Sequence, residues 1–335
     1  MTKIYKVGII GLGVGIKHYQ NFENCRYTKV TSICDFDQKK INILKKKNSR
    51  LKTFKNASDL IKSKAIDIIS IASYDSHHFD QVILSLQMNK HVFVEKPICL
   101  FQKELDNISK LLRKKKTLYF GSNMNLRTSS IFKELRNSAR KKKIFYIEAD
   151  YNSGRLNKIT NGWRTKEKYH SIILSSAVHV IDLVCWILND YPKSVFAYGN
   201  KIITKKSKFK YDDFFVGIMK FSNNVISKVS ANIGGIYPHF HKLSLYTDKF
   251  TFENSIKGSY FIKKKRNGLI FKNESANYKN RKRSIVIKEF VEEINKKRSN
   301  QNKKKFKEIY NIMKICFAFI NSLKKSKKVN IKYDF

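Results

Sequence analysis

Short apolar runs alternate with amphipathic stretches through the first third of the chain. The runs Ile4–Ile10, Val30–Cys34, Ile66–Ala72, His91–Val94 and Thr117–Phe120 are continuous rather than alternating, which predicts strands buried on both faces of a parallel sheet. Stretches of helical length separate them, Asp75–Asn89 and Phe101–Lys115 among these. Such an order predicts a doubly wound α/β domain over residues 1–122.

From residue 123 to 335 the pattern changes. Two helices are predicted at Ser129–Arg140 and Leu174–Leu188, followed by strands at Ser194–Ile203, Phe214–Phe221, Val225–Ile233, His241–Thr247 and Phe250–Asn254, and two closing helices. Strands in series without intervening helices imply an open, mainly antiparallel sheet and hence an α+β second domain.

Composition changes this picture little. The 335 residues are 42% hydrophobic and 13% aromatic, enough for two cores and incompatible with a disordered class. A net charge of +43 raises nucleic acid or an anionic membrane as partner. Residues 1–122 hold 20 Lys and 3 Arg against 10 acids, a net +13, which leaves +30 for the rest. The excess is therefore spread over both domains, and its 57 Lys outnumber 12 Arg, as AT-rich codons would produce. Runs such as Lys114–Lys116, Arg140–Lys143 and Lys263–Arg266 read as solvated helix ends and hairpin turns, so nucleic acid is set aside as a partner.

Cys25, Cys34, Cys99, Cys185 and Cys316 are scattered singly in apolar contexts, without the spacing of a zinc site or disulfide framework. A reduced, cytoplasmic setting and no metal are expected. No run of 18 apolar residues exists to span a bilayer, so no membrane association is expected.

The segment Val7-Gly8-Ile9-Ile10-Gly11-Leu12-Gly13-Val14-Gly15-Ile16 leaves the first predicted strand and opens a helix. Gly11 permits a tight turn, Gly13 lets the backbone approach a pyrophosphate, and the helix start at Val14 and Gly15 offers N–H groups to the anion. The common spacing puts the third glycine at position 16; here that residue is Ile16, with Gly15 one place early. A second strand ends at Asp35, 20 residues after Gly15, where a carboxylate would bind adenosine ribose hydroxyls. That charge, with Asp37 beside it, would repel a 2′-phosphate and favour NAD, while Lys39 and Lys40 leave NADP open. The other role open to Asp35 is as N-cap of the following helix.

Further on, Ile71-Ala72-Ser73 precedes Asp75, His77 and His78, and the strand His91–Val94 runs into Glu95-Lys96-Pro97. A strand ending in Glu-Lys-Pro after such a Rossmann half resembles the glucose-fructose oxidoreductase, inositol dehydrogenase and rhizopine-catabolism (Gfo/Idh/MocA) family. The resemblance runs through essentially the whole chain, taking in the Arg127 segment, Trp163-Arg164, the His179–Asp182 helix and Val329-Asn330-Ile331. It implies NAD(P)-dependent oxidation or reduction at a hydroxyl or keto carbon of a sugar, cyclitol or nucleotide-sugar, in a homodimer or homotetramer. It also implies that Ser73, His78 and Glu95 line the cofactor and that Lys96 meets both nicotinamide ribose and substrate. An ammonium there can donate to the oxygen that gains charge as hydride moves.

Within Ser175–Leu188 nearly every position is apolar, yet Ser175, His179 and Asp182 recur at i, i+4 and i+7, one face of a helix. The resemblance makes His179 an acid/base or hydroxyl ligand and Asp182 an orienting group with a mainly structural part. Many family members carry aspartate where this chain has Ser175, and a glycine-rich loop where it has Tyr169-His170-Ser171. Serine can hydrogen-bond a substrate but cannot take up a proton near neutral pH, which leaves that work to His179, Lys96 or a solvent relay. Arg127, Trp163, Arg164, Tyr237, His239 and His241 complete the expected substrate side. The competing expectation is a non-catalytic dinucleotide-binding redox sensor of the same fold, motivated by Ser175 and the missing glycine loop.

Overall fold

The computed structural model describes residues 3–274 and 282–334. In its first unit strands and helices alternate: β1 (Tyr5–Ile10), α1 (Gly15–Glu23), β2 (Thr28–Cys34), α2 (Gln38–Lys47), β3 (Lys52–Phe54), α3 (Ala57–Lys62), β4 (Ile68–Ile71), α4 (His78–Gln87), β5 (His91–Val94), α5 (Gln102–Lys114) and β6 (Phe120–Ser122). The strands are all parallel, in the order β3-β2-β1-β4-β5-β6. This is the doubly wound order, and the chain switches direction of growth between β1 and β4. Every residue of β4 is buried, as a strand covered on both faces must be. Edge strand β3 has two of its three residues exposed, and with no apolar run it left no signal in the sequence.

The second unit holds α6 (Ser130–Ala139), β7 (Ile144–Asn152), α7 (Leu156–Thr160), α8 (Val178–Leu188), β8 (Ser194–Asn200), β9 (Phe214–Lys220), β10 (Ile226–Asn232), β11 (Phe240–Thr247), β12 (Thr251–Ser255), β13 (Gly258–Lys265) and β14 (Gly268–Glu274). After α9 (Arg283–Asn295) and α10 (Ser299–Lys325), the short β15 (Val329–Asn330) pairs with β8. The sheet order is β14-β13-β12-β11-β7-β10-β9-β8-β15, antiparallel except for the central pair β7–β10. Strand β7 was not predicted, although it lies mid-sheet. Its buried face is only Ile147 and Ala149, and the intervening Tyr146, Glu148 and Asp150 point the other way, where Lys228 bridges Glu148 at 3.0 Å and Asp150 at 3.1 Å. The apolar run Ile144-Phe145-Tyr146-Ile147 directly follows the basic stretch Arg140–Lys143, and the sequence reading did not pick it out as a strand. Ala149 lies opposite Val229 of β10 and Leu243 of β11, all three fully buried, which seats β7 under α8.

One boundary differs from the sequence reading. The first unit comprises the chain up to Asn123 together with Lys282–Tyr310, and the second runs from Met124 and takes in Asn311–Asp334. The expected division at 122/123 gave both closing helices to the second domain. Helix α9 instead buries Ile287, Phe290, Val291 and Ile294 in the same cluster as Tyr5, Val7, Ile9, Phe22 and Phe93. Gly121 leaves room for it, since a Cβ there would lie 2.9 Å from the Phe290 ring. Edge strand β6 is closed by Asn302, whose Oδ1 accepts from the Phe120 N–H at 3.0 Å and whose Nδ2 donates to the Phe120 carbonyl at 3.2 Å. The amide thus stands in for a seventh strand.

Asn302→Ala leaves both buried backbone groups of Phe120 without their partner. A loss of about 1–3 kcal/mol per group is expected, read as a lower urea midpoint; an unchanged midpoint would show that the edge is satisfied otherwise.

Candidate active site

The cofactor surface is built where β1 ends. Gly11 has φ +82, and a Cβ on it would lie 2.4 Å from the Ala72 carbonyl oxygen and 2.7 Å from Ser73 N. Only glycine fits, on both backbone and contact grounds. Gly11 N–H donates to the Cys34 carbonyl at 2.8 Å, and Leu12 N–H donates to Asp35 Oδ2. Asp35 Oδ1 accepts from Asp37 N–H at 2.7 Å. The N-cap of α2 is Asp37, which accepts from Lys39 N–H, so Asp35 braces the glycine turn and does not cap the helix.

Gly13 and Val14 are exposed, and a Cβ on Gly13 would meet nothing within 4 Å. The turn therefore presents bare backbone. Gly15 has the opposite environment: its Cβ would lie 3.2 Å from Ile9 and 3.3 Å from Ala72. The early glycine thus performs the helix-packing task that the common spacing gives to position 16. Helix α1 has no side-chain cap and no acid in its first turn among the described residues, which leaves its first N–H groups and dipole for an anion.

Along the same sheet edge, Asp35 follows β2, the glycine turn follows β1, Ser73 follows β4 and Glu95-Lys96 follow β5. At roughly 4.8 Å per strand, β2 to β5 spans three spacings, about 14 Å. A dinucleotide laid across it would have adenosine at Asp35, pyrophosphate over the glycine turn and nicotinamide toward Lys96. The residues present fit that group. Two aromatics missed in the sequence extend the adenosine end: Phe36, 77% exposed, lies 5.7 Å from Tyr74, which stacks on His77 at 6.5 Å. Their signal was an aromatic between two acids, Asp35-Phe36-Asp37, with no core to enter. Lys40 is paired with Asp37 at 3.4 Å and lies over the Phe36 ring.

Three expected cofactor contacts have other tasks. Ser73 Oγ donates to Gln81 Oε1 at 2.7 Å. His78 is fully buried, with Nδ1 2.7 Å from the Pro97 carbonyl and Nε2 3.3 Å from the Ser73 carbonyl, so it braces the loop after β4 against the Lys96-Pro97 segment. Glu95 is buried too, and its Oε1 meets His18 Nε2 at 3.0 Å, Asn123 Nδ2 at 2.8 Å and Arg283 Nε at 3.4 Å. Although burial alone raises its pKa, the hydrogen bond and charge of His18, then Arg283 and Lys96, bring the Glu95 carboxyl from 4.5 down to about 2. Lys96 itself is half-buried at the end of β5.

The second unit has its own cluster. Tyr151 continues the helix-facing side of β7 and stacks on His179 of α8 at 5.9 Å and 8°. Its cross-strand partner is His241, at 5.0 Å, and His239 stands 5.4 Å away with Nδ1 3.2 Å from the Asn152 carbonyl. Sequence reasoning found the three histidines but not Tyr151, because β7 was not recognised as a strand. Among the described residues no group of three or more His, Cys, Asp or Glu is placed to hold a metal ion.

The face expected from Ser175, His179 and Asp182 is not a uniform helix. Ile173–Ala177 forms a π turn and α8 begins only at Val178, so Ser175 is rotated away from a plain i, i+4 register. Ser175 Oγ lies 3.1 Å from His170 Nε2, both residues being buried. Asp182 is buried and held by Arg127, with Nε at 3.1 and 3.0 Å from the two carboxylate oxygens and Nη2 at 2.6 Å. This pairing holds α8 to the turn Asn125–Thr128. Trp163 and Arg164 share a short 3₁₀ turn with the guanidinium 4.3 Å over the indole. The Tyr237 carbonyl packs on Gly154, whose φ of +57 and whose Cβ position 2.1 Å from that oxygen both require glycine.

A six-stranded Rossmann sheet with an open glycine turn and an acid after β2, joined to a mainly antiparallel α+β unit, defines a nicotinamide-dependent oxidoreductase architecture. Residues 5–122 match the oxidoreductase family with NAD-binding Rossmann fold, and residues 132–253 match the GFO/IDH/MocA C-terminal domain. The chain belongs to the GFO/IDH/MocA family, and its first domain is an NAD-binding domain. It is 22% identical over 259 residues to myo-inositol 2-dehydrogenase of Thermotoga maritima, covering 73% of each chain. Against the inositol 2-dehydrogenase/D-chiro-inositol 3-dehydrogenase of Lactiplantibacillus plantarum the identity is also 22%, over 68% of this chain and 65% of that protein's length. The fold matches the crystal structure of myo-inositol 2-dehydrogenase from Lactobacillus plantarum with TM-score 0.82, 18% identity, and 98% and 100% of the two chains covered. No helix among the described residues is long and apolar enough to cross a membrane.

Gly13→Ala is expected to fold normally, because its Cβ enters open space, and to weaken NADH binding about tenfold or more by displacing the pyrophosphate. Gly11→Ala should lower stability as well. Fluorescence titration of NADH beside thermal melts separates the two, and equal melting losses would contradict the assignment.

The low Glu95 value has a pH consequence. A carboxyl whose folded pKa lies below its unfolded one contributes fully above about pH 5 and loses that contribution as pH falls through 4.5 toward 2. Glu95→Gln should therefore flatten the acid limb of stability across that window. An acid limb unchanged in urea midpoints would rule out an ionised Glu95 network.

Proposed function

We propose that this chain is an NAD-dependent dehydrogenase or reductase acting on a CH–OH group of a cyclitol, sugar or nucleotide-sugar. The observation that carries the reading is Lys96, half-buried at the end of β5 on the same sheet edge as the open glycine turn. The relatedness to inositol dehydrogenases supports a polyhydroxylated substrate. NAD is favoured over NADP because the carboxylates of Asp35 and Asp37 follow β2 and Lys40 is paired with Asp37.

When bound, nicotinamide supplies the hydride acceptor. Lys96 donates a hydrogen bond to the substrate oxygen and stabilises the negative charge that grows there as the carbon loses hydride. His179 accepts the hydroxyl proton, held in its plane by the Tyr151 ring. Arg127 and Asp182 fix α8, which carries His179, and so act on structure. Ser175, Trp163, Arg164, Tyr237 and His239 are assigned to binding the remaining hydroxyls. Asp35, Gly11, Gly13, Val14 and Gly15 bind the cofactor.

The test is NADH production from NAD with a panel of myo-inositol, scyllo-inositol, glucose and uridine-diphosphate sugars. Turnover of at least one is expected. Lys96→Ala and His179→Ala should each lower kcat/KM about 100-fold or more while NADH still binds. Near-normal turnover by either variant would remove that residue from the mechanism, and binding without turnover across the panel would remove the dehydrogenase reading.

A further inference from the structure

His18 is fully buried on α1, one turn after Gly15, and was not among the residues that the sequence singled out. Its Nδ1 lies 2.8 Å from Ser70 Oγ of β4 and its Nε2 lies 3.0 Å from Glu95 Oε1 at the end of β5. The ring packs edge-on to Phe93 at 5.4 Å. One side chain thus reaches from the helix that starts at the glycine turn, across β4, to the residue preceding Lys96.

A buried imidazole between a hydroxyl and a carboxylate is a costly arrangement. Three other groups face the same carboxylate region: Asn123 after β6, Arg283 of α9 and Lys96 itself. Simple packing of α1 on the sheet would be served by an apolar residue of the same size. What a polar bridge adds is a fixed distance between two strand ends.

We propose that His18 is a positioning residue that couples the two ends of the cofactor site. By fixing Glu95 against α1, it sets the Lys96 segment relative to the helix N-terminus that takes the pyrophosphate. The inference rests on the NAD assignment above. It predicts a dependence on ligand length, because a ligand that reaches only the glycine turn does not sense the bridge, whereas one that reaches Lys96 does.

The experiment compares NADH with ADP, which keeps adenosine and pyrophosphate but lacks the nicotinamide ribose and ring that reach Lys96, by titration calorimetry on the full chain. In His18→Leu, NADH affinity is expected to fall about tenfold or more, the size of one charge-assisted hydrogen bond, with ADP affinity changed less than about threefold. His18→Gln, whose amide N–H can still donate to Glu95, should recover most of the NADH loss. Should His18→Leu fail to fold, Ser70→Ala removes only the outer bond and should give the same split at smaller size. Equal losses for both ligands, or none for either, would overturn the proposal and leave the NAD assignment standing. Failure of the unsubstituted chain to bind NADH would overturn both.

Discussion

The first unit depends on the close approach of the backbone at Gly11 to the end of β4. With φ +82 and no Cβ, the chain leaves β1 within contact distance of the Ala72 carbonyl and turns at once into α1. Everything at the cofactor edge follows from that geometry. Leu12 N–H is delivered to Asp35, which ties the end of β2 to the turn, and Gly15 is pressed against Ile9 and Ala72, which aims α1 across β4. Because the turn is held from both neighbouring strands, Gly13 and Val14 can stay exposed without the loop depending on its own packing for shape. An anion seat of bare N–H groups is then a consequence of how β1 ends.

The second constraint is electrostatic. A carboxylate buried as deeply as Glu95 is unfavourable unless several partners meet it, and its partners come from α1, the end of β6 and α9. Helix α9 arrives after the long Met124–Arg281 part of the second unit has been traversed, yet its Phe290 and Val291 enter the core beneath β1 and β5 and its first residue, Arg283, faces Glu95. The cofactor unit is thus closed by a late segment of the chain. Asn302, early in α10, extends this closure by pairing with the otherwise open edge of β6.

Periodicity made the parallel sheet legible because strands buried on both faces are continuous apolar runs, and the glycine turn and Glu95-Lys96-Pro97 stood at strand ends that those runs located. What failed has physical causes. Strand β7 carries its apolar run Ile144–Ile147 at its start and turns a charged face outward beyond it, so the second half, with Tyr151, did not read as a strand. The π turn before α8 adds a residue to one turn, which moves Ser175 off the face that a regular helix would give it. The transfer of α9 and the start of α10 to the first unit depends on a match between Phe290 and Gly121, residues far apart in sequence, which periodicity does not carry. His18 was not singled out in the sequence, and only the positions of Ser70 and Glu95 give it a role.

Two of the residues by which the substrate side departs from the pattern the family resemblance implies are bonded to each other. Ser175 and His170, the latter within the Tyr169-His170-Ser171 segment, meet at 3.1 Å in a buried site walled by Phe209 and Tyr211. A carboxylate in that apolar setting would need a cation beside it, whereas a hydroxyl and an imidazole satisfy each other without charge. Elsewhere in this unit, Asp182 is paired with Arg127, and Glu148 and Asp150 with Lys228. Four of the chain's 8 histidines, His170, His179, His239 and His241, are gathered around α8, its π turn and β11. The dehydrogenase function proposed above therefore assigns proton exchange on this side of the molecule to imidazole chemistry.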